Sequence, residues 1–250
     1  MSKSKEGINT LTIDIGGSGI KGTVLDPSGE MLIPRNRVKT PEHSHPDNVL
    51  NAIETVIEGF PHFERVAVGF PGYVKNGVVK TAPNLDTEFW EGYPLAQQIA
   101  NRLKKPVRLL NDADLLGLGV IRGDGLELMI TLGTGFGTAL YMDGHLMPHL
   151  EFSHHPIKGK KDYDHYIGKA AFKDIGPKKW NKRMKKVLKI LQTIFNYDTL
   201  FIGGGNSDEI NFKLDKNIEI VSNHQGIRGG VGVWKLEEDD LCITTVHPEG

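Results

Sequence analysis

Three glycine-rich breaks, and the carboxylates close to them, are the parts of this sequence that could do chemistry. The run Asp14-Ile15-Gly16-Gly17-Ser18-Gly19-Ile20-Lys21-Gly22 joins a strand-end carboxylate to a glycine turn. Where side chains are missing, the backbone N–H groups of Gly16, Gly17 and Ser18 can approach a phosphate closely. Asp14 can hold a Mg²⁺ ion through water. No helical pattern follows the turn, so neither a Walker A loop nor a Rossmann fingerprint fits, and an ordinary hairpin is the competing reading. Gly133-Thr134-Gly135-Phe136-Gly137 offers a second cradle, with the Thr134 hydroxyl as an extra donor. Gly203-Gly204-Gly205 ends an apolar strand, the place where open α/β sheets bind ligands. One such turn says little, but three in one chain point together to phosphate.

Asn111-Asp112 closes the apolar stretch from Val107 to Leu110. A carboxylate there can take a proton from a substrate hydroxyl, the base's part in phosphoryl transfer. It can equally cap a helix starting at Ala113. Histidines gather at His145, His149, His154, His155 and His165, but their spacing fits no zinc motif and cysteine ligands are missing. Glu151 and His154 read better as hydrogen-bonding groups for a polar ligand. From Lys158 to Lys189 the chain holds twelve Lys or Arg against three Asp or Glu. Lys178, Lys182, Lys185 and Lys186 share one face of a helix there, which is either a solvated face or a track for a polyanion.

The elements that must position these residues follow from periodicity. Thr10 to Ile15 alternates polar and apolar residues, as a half-buried strand does. Ile20 to Asp26, the turn Pro27-Ser28-Gly29 and Met31-Leu32-Ile33 complete a three-stranded antiparallel unit. The same grammar returns at Leu128–Leu132, Thr138–Met142, the turn Asp143-Gly144 and His145-Leu146-Met147. Two such units imply a duplicated architecture. Between them Asp47 can cap a helix through Leu50, Ile53, Val56 and Ile57, and Leu95, Ile99 and Leu103 are spaced at four. Trp180, Met184, Val187, Leu188, Leu191, Ile194 and Phe195 trace a helical stripe before the strand Leu200-Phe201-Ile202. Residues from Leu236 to Gly250 read as a loosely attached tail.

Composition removes several classes. A chain of 250 residues is long enough for one large domain or two lobes. With 30 basic against 31 acidic side chains it has no global pull toward nucleic acid or anionic membranes. One cysteine, Cys242, forbids an internal disulfide and every cysteine-rich zinc motif. No apolar run approaches the roughly 20 residues that cross a bilayer, and the first residues lack the apolar core of a signal peptide. A soluble cytoplasmic protein is the expectation.

Taken together, Asp14 to Gly22, Ala82-Pro83-Asn84-Leu85-Asp86, Asn111-Asp112-Ala113-Asp114, Leu132 to Gly137, Glu151-Phe152-Ser153-His154 and Phe201 to Gly205 resemble the ROK sugar kinases. Within that family the resemblance is to the polyphosphate glucokinases, which lack its zinc motif. It implies an α/β, two-lobed actin/hexokinase-like (ribonuclease-H-like) fold with a duplicated mixed sheet and a central cleft. Residues 1–112 would form an N-terminal lobe carrying the first phosphate hairpin and part of the sugar site. Residues 113–250 would carry the second hairpin, the sugar and donor sites, the basic helix and the tail.

The implied activity is a hexose kinase using polyphosphate, ATP or both, with Mg²⁺ and without zinc. Asp112 would be the base on the sugar 6-hydroxyl, and Asn84, Asn111, Glu151 and His154 would grip the sugar. Asp14, Gly16, Gly17, Lys21 and Gly133 to Gly135 would surround the phosphoryl group and Mg²⁺, and Gly203 to Gly205 the distal donor. The partners are then a hexose and the phosphoryl donor, with neither nucleic acid nor membrane, and a second copy in a homodimer. Ser153 stands where the family usually has Gly, and a further family carboxylate near Pro156 has no counterpart. A kinase for mannose, glucosamine or an N-acetylated hexosamine is therefore an alternative, as is a non-catalytic sugar-binding regulator. A pure binder, however, needs neither Asp14 nor Asp112.

Overall fold

The computed structural model describes residues 7–239 and 242–250. The N-terminal residues in which no signal peptide was read, and 240–241 of the C-terminal segment, lie outside the described residues. The chain divides into two units, 1–119 with 227–250, and 120–226. The sequence reading draws a single cut after 112, whereas the fold returns the last 24 residues to the first unit.

In the first unit, strands β1 (Thr10–Gly16) and β2 (Gly19–Leu25) form an antiparallel hairpin, extended by β3 (Asn36–Val38). Helix α1 (Pro46–Ile57) leads to β4 (Arg65–Phe70), and the small hairpin β5 (Val74–Lys75) and β6 (Val78–Val79) to helix α2 (Leu95–Leu103). Strand β7 (Val107–Asn111) then runs into helix α3 (Asp112–Gly117). The sheet order is β3-β2-β1-β4-β7, with β4 and β7 parallel to β1. Leu11, Ile13 and Ile15 are fully buried, each contributing about 1.5–3 kcal/mol of apolar burial. The apolar stripe of α1 (Val49, Leu50, Ile53, Val56) joins the same core.

Two local expectations need correcting here. The third strand is not Met31 to Ile33: Met31 makes only an isolated bridge to Leu25, and regular pairing resumes at Asn36. Pro34, which has no N–H, interrupts the run. Nor does Asp47 cap α1. His45 holds the cap position, Pro46 opens the helix, and Asp47 lies in the first turn, where its charge suits the helix dipole.

The C-terminal segment is not loosely attached. Val246 exchanges both backbone hydrogen bonds with Val107 at 2.9 Å. Buried Arg108 donates to the carbonyls of Val233 (2.6 Å) and Leu236 (2.9 Å) and to the Thr245 hydroxyl (2.9 Å). Its guanidinium also lies 4.7 Å from the centre of the Trp234 ring. A buried guanidinium has five donors to satisfy, and the returning chain supplies the acceptors.

The second unit repeats the plan. Strands β8 (Leu126–Leu132), β9 (Phe136–Met142) and β10 (His145–Leu146) form the antiparallel part. A small ribbon, β11 (Pro156–Lys158) with β12 (Lys161–Asp162), precedes helices α4 (Tyr163–Ile167) and α5 (Lys169–Phe195). Strands β13 (Thr199–Gly203) and β14 (Ile218–Ile220) then add in parallel, giving the order β10-β9-β8-β13-β14. Asp143 and Gly144 have φ of 47° and 81°, as a tight hairpin turn with two left-handed residues requires. Helix α5 breaks at Gly176 (φ 73°, ψ 166°), and Pro177 opens its basic second half. Trp180, Met184, Val187, Leu188 and Leu191 bury the opposite face against β8 and β13. No helix among the described residues is long and apolar enough to cross a membrane.

Candidate active site

In the first unit the hairpin β1–β2 turns through Gly17 and Ser18, between the paired Gly16 and Gly19. Asp14 and Lys21 face each other across the strands, and their side chains bond at 2.9 Å while both remain partly exposed. Lys21 in turn pairs with Arg37 of β3, whose Nη2 donates to the Ser18 carbonyl at 3.2 Å. A Cβ on Gly19 would sit 2.5 Å from the Arg37 Nε, so glycine is what lets the guanidinium close over the turn. Arg37 is a cation at the first glycine turn that the sequence alone does not reveal, because its pattern places the third strand too early. A Cβ on Gly17 would meet the Asn84 carbonyl at 3.1 Å, which puts the exposed Asn84 directly beside the hairpin.

The cap of α3 is the neighbour of Asp112. Asn111 is the cap of α3, its side-chain oxygen accepting from Ala113 N–H at 2.8 Å and Asp114 N–H at 3.4 Å. Its amide nitrogen donates to the carbonyls of Gly72 (3.2 Å) and Phe70 (3.4 Å). Asn111 is thus buried with both donors and its acceptor oxygen on backbone groups, which is a different duty from the predicted sugar contact. Asp112 is the first residue of the helix, partly exposed at the carboxyl end of β7, with one oxygen 2.9 Å from Ala113 N–H. Gly69 lies under it: a Cβ there would stand 3.3 Å from the Asp112 Cα.

The second unit assembles a different set. In the turn between β8 and β9, Gly133 N–H bonds the Gly135 carbonyl at 3.1 Å, and Phe136 N–H donates to Asp164 of α4 at 2.6 Å. Among the described residues, the N–H groups of Thr134 and Gly135 are left without a protein acceptor, and Thr134 is exposed. The Gly203–Gly205 loop packs against the same strand end. Gly204 has φ of 89°, and a Cβ on it would lie 2.4 Å from the Leu132 carbonyl, so only glycine fits. The neighbouring Asn206 N–H donates to that carbonyl at 2.9 Å. Helix α5 also starts here, with Lys169 N–H on the Gly133 carbonyl at 3.0 Å.

Glu151 follows on the segment after β10. Its Oε1 lies 3.0 Å from His149 Nε2, and its Oε2 lies 3.5 Å from the Ser153 hydroxyl and 3.6 Å from His154 Nε2. Burial alone would raise this carboxyl, but the hydrogen bond and charge of His149, with His154 and Ser153, leave it below the usual carboxylate range. Asp164 goes the other way. Burial pushes it up, Asp162 and Glu151 add to the rise, and the Phe136 N–H and His154 only partly oppose them. Phe152 packs at a tilt against Tyr163 (4.9 Å), and Tyr163 stacks on Phe136 (5.1 Å), so an aromatic chain joins Glu151's turn to the glycine hairpin. Neither Asp164 nor the part played by His149 was legible beforehand. The first lies 27 residues beyond Gly137, and the second was one histidine in a cluster of five.

Lys178, Lys182, Lys185 and Lys186 are all exposed on the second half of α5. Lys185 lies 4.9 Å over the Phe212 ring and Lys186 5.9 Å over Tyr166. Among the described residues no three His, Cys, Asp or Glu side chains converge on a common point.

Residues 10–151 match the ROK family. Over 220 residues the chain is 35% identical to the polyphosphate glucokinase of Mycobacterium tuberculosis (strain CDC 1551 / Oshkosh), spanning 84% of this chain and 81% of that protein. Among solved structures, the inorganic polyphosphate/ATP-glucomannokinase from Arthrobacter sp. strain KM superposes with a TM-score of 0.82 at 32% identity, over 90% of this chain and 97% of that one. A ROK family glucokinase from Streptomyces griseus, in complex with glucose and AMPPNP, shares the fold with a TM-score of 0.74 at 21% identity, over 90% and 98% of the two chains.

Proposed function

The chain belongs to the ROK family and is a sugar kinase, and from that premise we propose that it transfers a phosphoryl group from polyphosphate or ATP to the 6-hydroxyl of glucose. The observation that carries this reading is Asp112. Asn111 caps α3, and the Asp112 carboxylate stands partly exposed beside it at the carboxyl end of β7. Asp112 takes the proton of the 6-hydroxyl while the hydroxyl oxygen attacks the terminal phosphorus in line. The bond from that phosphorus to the donor's bridging oxygen breaks, and a shortened polyphosphate or ADP leaves. The glycine turns contribute backbone N–H groups that hold phosphoryl oxygens, and Lys21 and Arg37 add positive charge at the first of them.

Asp14 suits a magnesium ion. It offers one hard, partly exposed carboxylate at the phosphate turn, and Mg²⁺ characteristically takes one or two carboxylates and fills its shell with water and substrate phosphate. Such an ion supplies positive charge to the transferring group. Glu151 and His154 grip the sugar hydroxyls, with exposed Asn84 as a further contact. Lys178, Lys182, Lys185 and Lys186 form a track for the part of a long polyphosphate that extends beyond the transferred phosphate.

Mannose is a second acceptor to consider, because the Arthrobacter relative is a glucomannokinase. The reading includes a cytoplasmic homodimer, which sedimentation of the purified enzyme checks. A coupled assay with glucose, mannose and glucosamine, each with ATP and with polyphosphate, tests the whole. Phosphorylation of glucose with either donor is expected. Failure with every hexose and both donors would overturn the reading.

A further inference from the structure

Glu151 stands at the N-cap of the short 3-10 turn Phe152–His154, yet its side chain makes no cap bond. Its Oε1 instead meets Nε2 of His149 at 3.0 Å, and the His149 side chain is almost wholly buried, at 7% exposure. The segment carrying both is tied down. The Thr138 hydroxyl donates to the Leu150 carbonyl, and Met147 N–H to the Leu140 carbonyl, each at 2.9 Å. Phe152 anchors the next residue against Tyr163 and Phe195, with ring centres 4.9 and 5.3 Å away. Oε2 lies on the other side, near the half-exposed ring of His154. One carboxylate oxygen is thus engaged from behind, and the other is turned toward an accessible imidazole.

We propose that His149 is the positioning residue of the sugar grip: its Nε2–H donates to Oε1 of Glu151 and fixes the carboxylate so that Oε2, beside His154, accepts a hexose hydroxyl. This rests on the reading that Glu151 binds the sugar. A freely rotating glutamate would lose rotamer entropy on binding, whereas one held from behind has lost it already.

The arrangement also governs protonation. The groups facing Glu151 are His149, His154 and Ser153 on its own segment and Asp164 on α4, which is itself coupled to Asp162. Burial disfavours the ionised carboxylate, while the histidines and Ser153 favour it. Removing His149 leaves burial less opposed, so the carboxyl rises. Sugar binding needs the ionised form. The acid limb of glucose affinity therefore lies below the usual glutamate range in the wild type and moves toward neutrality without His149.

Isothermal titration of the enzyme with glucose from about pH 3.5 to 8 tests this. His149→Leu should weaken binding at pH 7 about tenfold and shift the acid limb upward, with the KM for the phosphoryl donor unchanged within about twofold. His149→Gln, whose amide N–H can reach the place of Nε2–H, should restore affinity to within about threefold. Wild-type affinity and acid limb in His149→Leu, or a glutamine variant about tenfold weaker than wild type, would show that His149 only packs. If the leucine variant does not fold, the glutamine variant decides alone. Glu151→Gln is the separate control. Unchanged glucose affinity there removes the sugar reading itself, whatever His149 does.

Discussion

The two glycine hairpins have one backbone plan and opposite electrostatics. Each is an antiparallel pair flanked by a third strand on one side and two parallel strands on the other. In the first, the charges are carried by the sheet itself: Asp14, Lys21 and Arg37 stand in one cross-strand row beside the turn. In the second, the paired strands bring no charge to the corresponding positions, Ile130 and Thr138 facing each other two residues before the turn. Its charge is borrowed from a helix, Asp164 of α4 accepting the Phe136 N–H. Duplication therefore fixes where the glycine turns present their N–H groups, while the elements inserted between the strands decide what else is there.

The same contrast explains what could be read in advance. Charges within a strand period of a glycine turn are visible in the sequence, so Asp14 and Lys21 were legible together with both hairpins and the duplicated plan. Asp164 acts on Phe136 from 28 residues away, and no local period links them. Arg37 was hidden by a strand that restarts only after Pro34. Arg108's hold on the C-terminal segment spans more than 120 residues, and an acidic run with Pro248 at that end reads as solvent-facing. The backbone partners of the Asn111 amide are not legible either, because the Phe70 and Gly72 carbonyls lie 41 and 39 residues away.

The comparison is broken most sharply at Asp112. If the first unit supplies the reacting base, Asp112→Asn keeps shape and glucose affinity but loses on the order of 10²–10⁴ in kcat. Steady-state kinetics beside glucose titration checks this. A variant within a few-fold of wild type would leave the first unit with charge but no chemistry. Next in size, Asp14→Asn should lower kcat by roughly 10–10²-fold and raise the magnesium concentration needed for half-maximal rate. Varying Mg²⁺ at fixed donor separates this from a simple folding defect. An unchanged magnesium dependence would mean that the row Asp14–Lys21–Arg37 is only a structural ion pair.

The basic face of α5 in the second unit predicts a smaller, donor-specific effect. ATP carries few negative charges, whereas long polyphosphate carries about one per phosphate and releases counterions when it meets a cationic track. Lys182, Lys185 and Lys186 together changed to Gln should raise the KM for long polyphosphate several-fold and flatten its salt dependence. ATP kinetics should hardly move, since the affected helix face is solvent-exposed. Equal responses from both donors would reduce α5's basic face to a solvated surface.

The smallest expected effect is on stability, at Asp164. Its folded-state affinity for a proton is raised above that of an ordinary Asp. For a raised group, the contribution to stability is complete below the unfolded pKa and drains away as pH climbs through the folded one. Asp164→Asn keeps an oxygen to accept the Phe136 N–H and removes the charge that burial, Asp162 and Glu151 disfavour. Thermal melts at pH 7 should then show the variant equal to wild type or roughly a degree or two more stable, with the difference vanishing toward pH 4. Asp164→Ala leaves the Phe136 N–H unpartnered and should cost about 1–3 kcal/mol at every pH. An asparagine variant that is less stable at pH 7 and gains on wild type on acidification would reverse the sign. The second hairpin would then need a fixed negative charge, as the first has in Asp14, and the electrostatic contrast between the two would disappear.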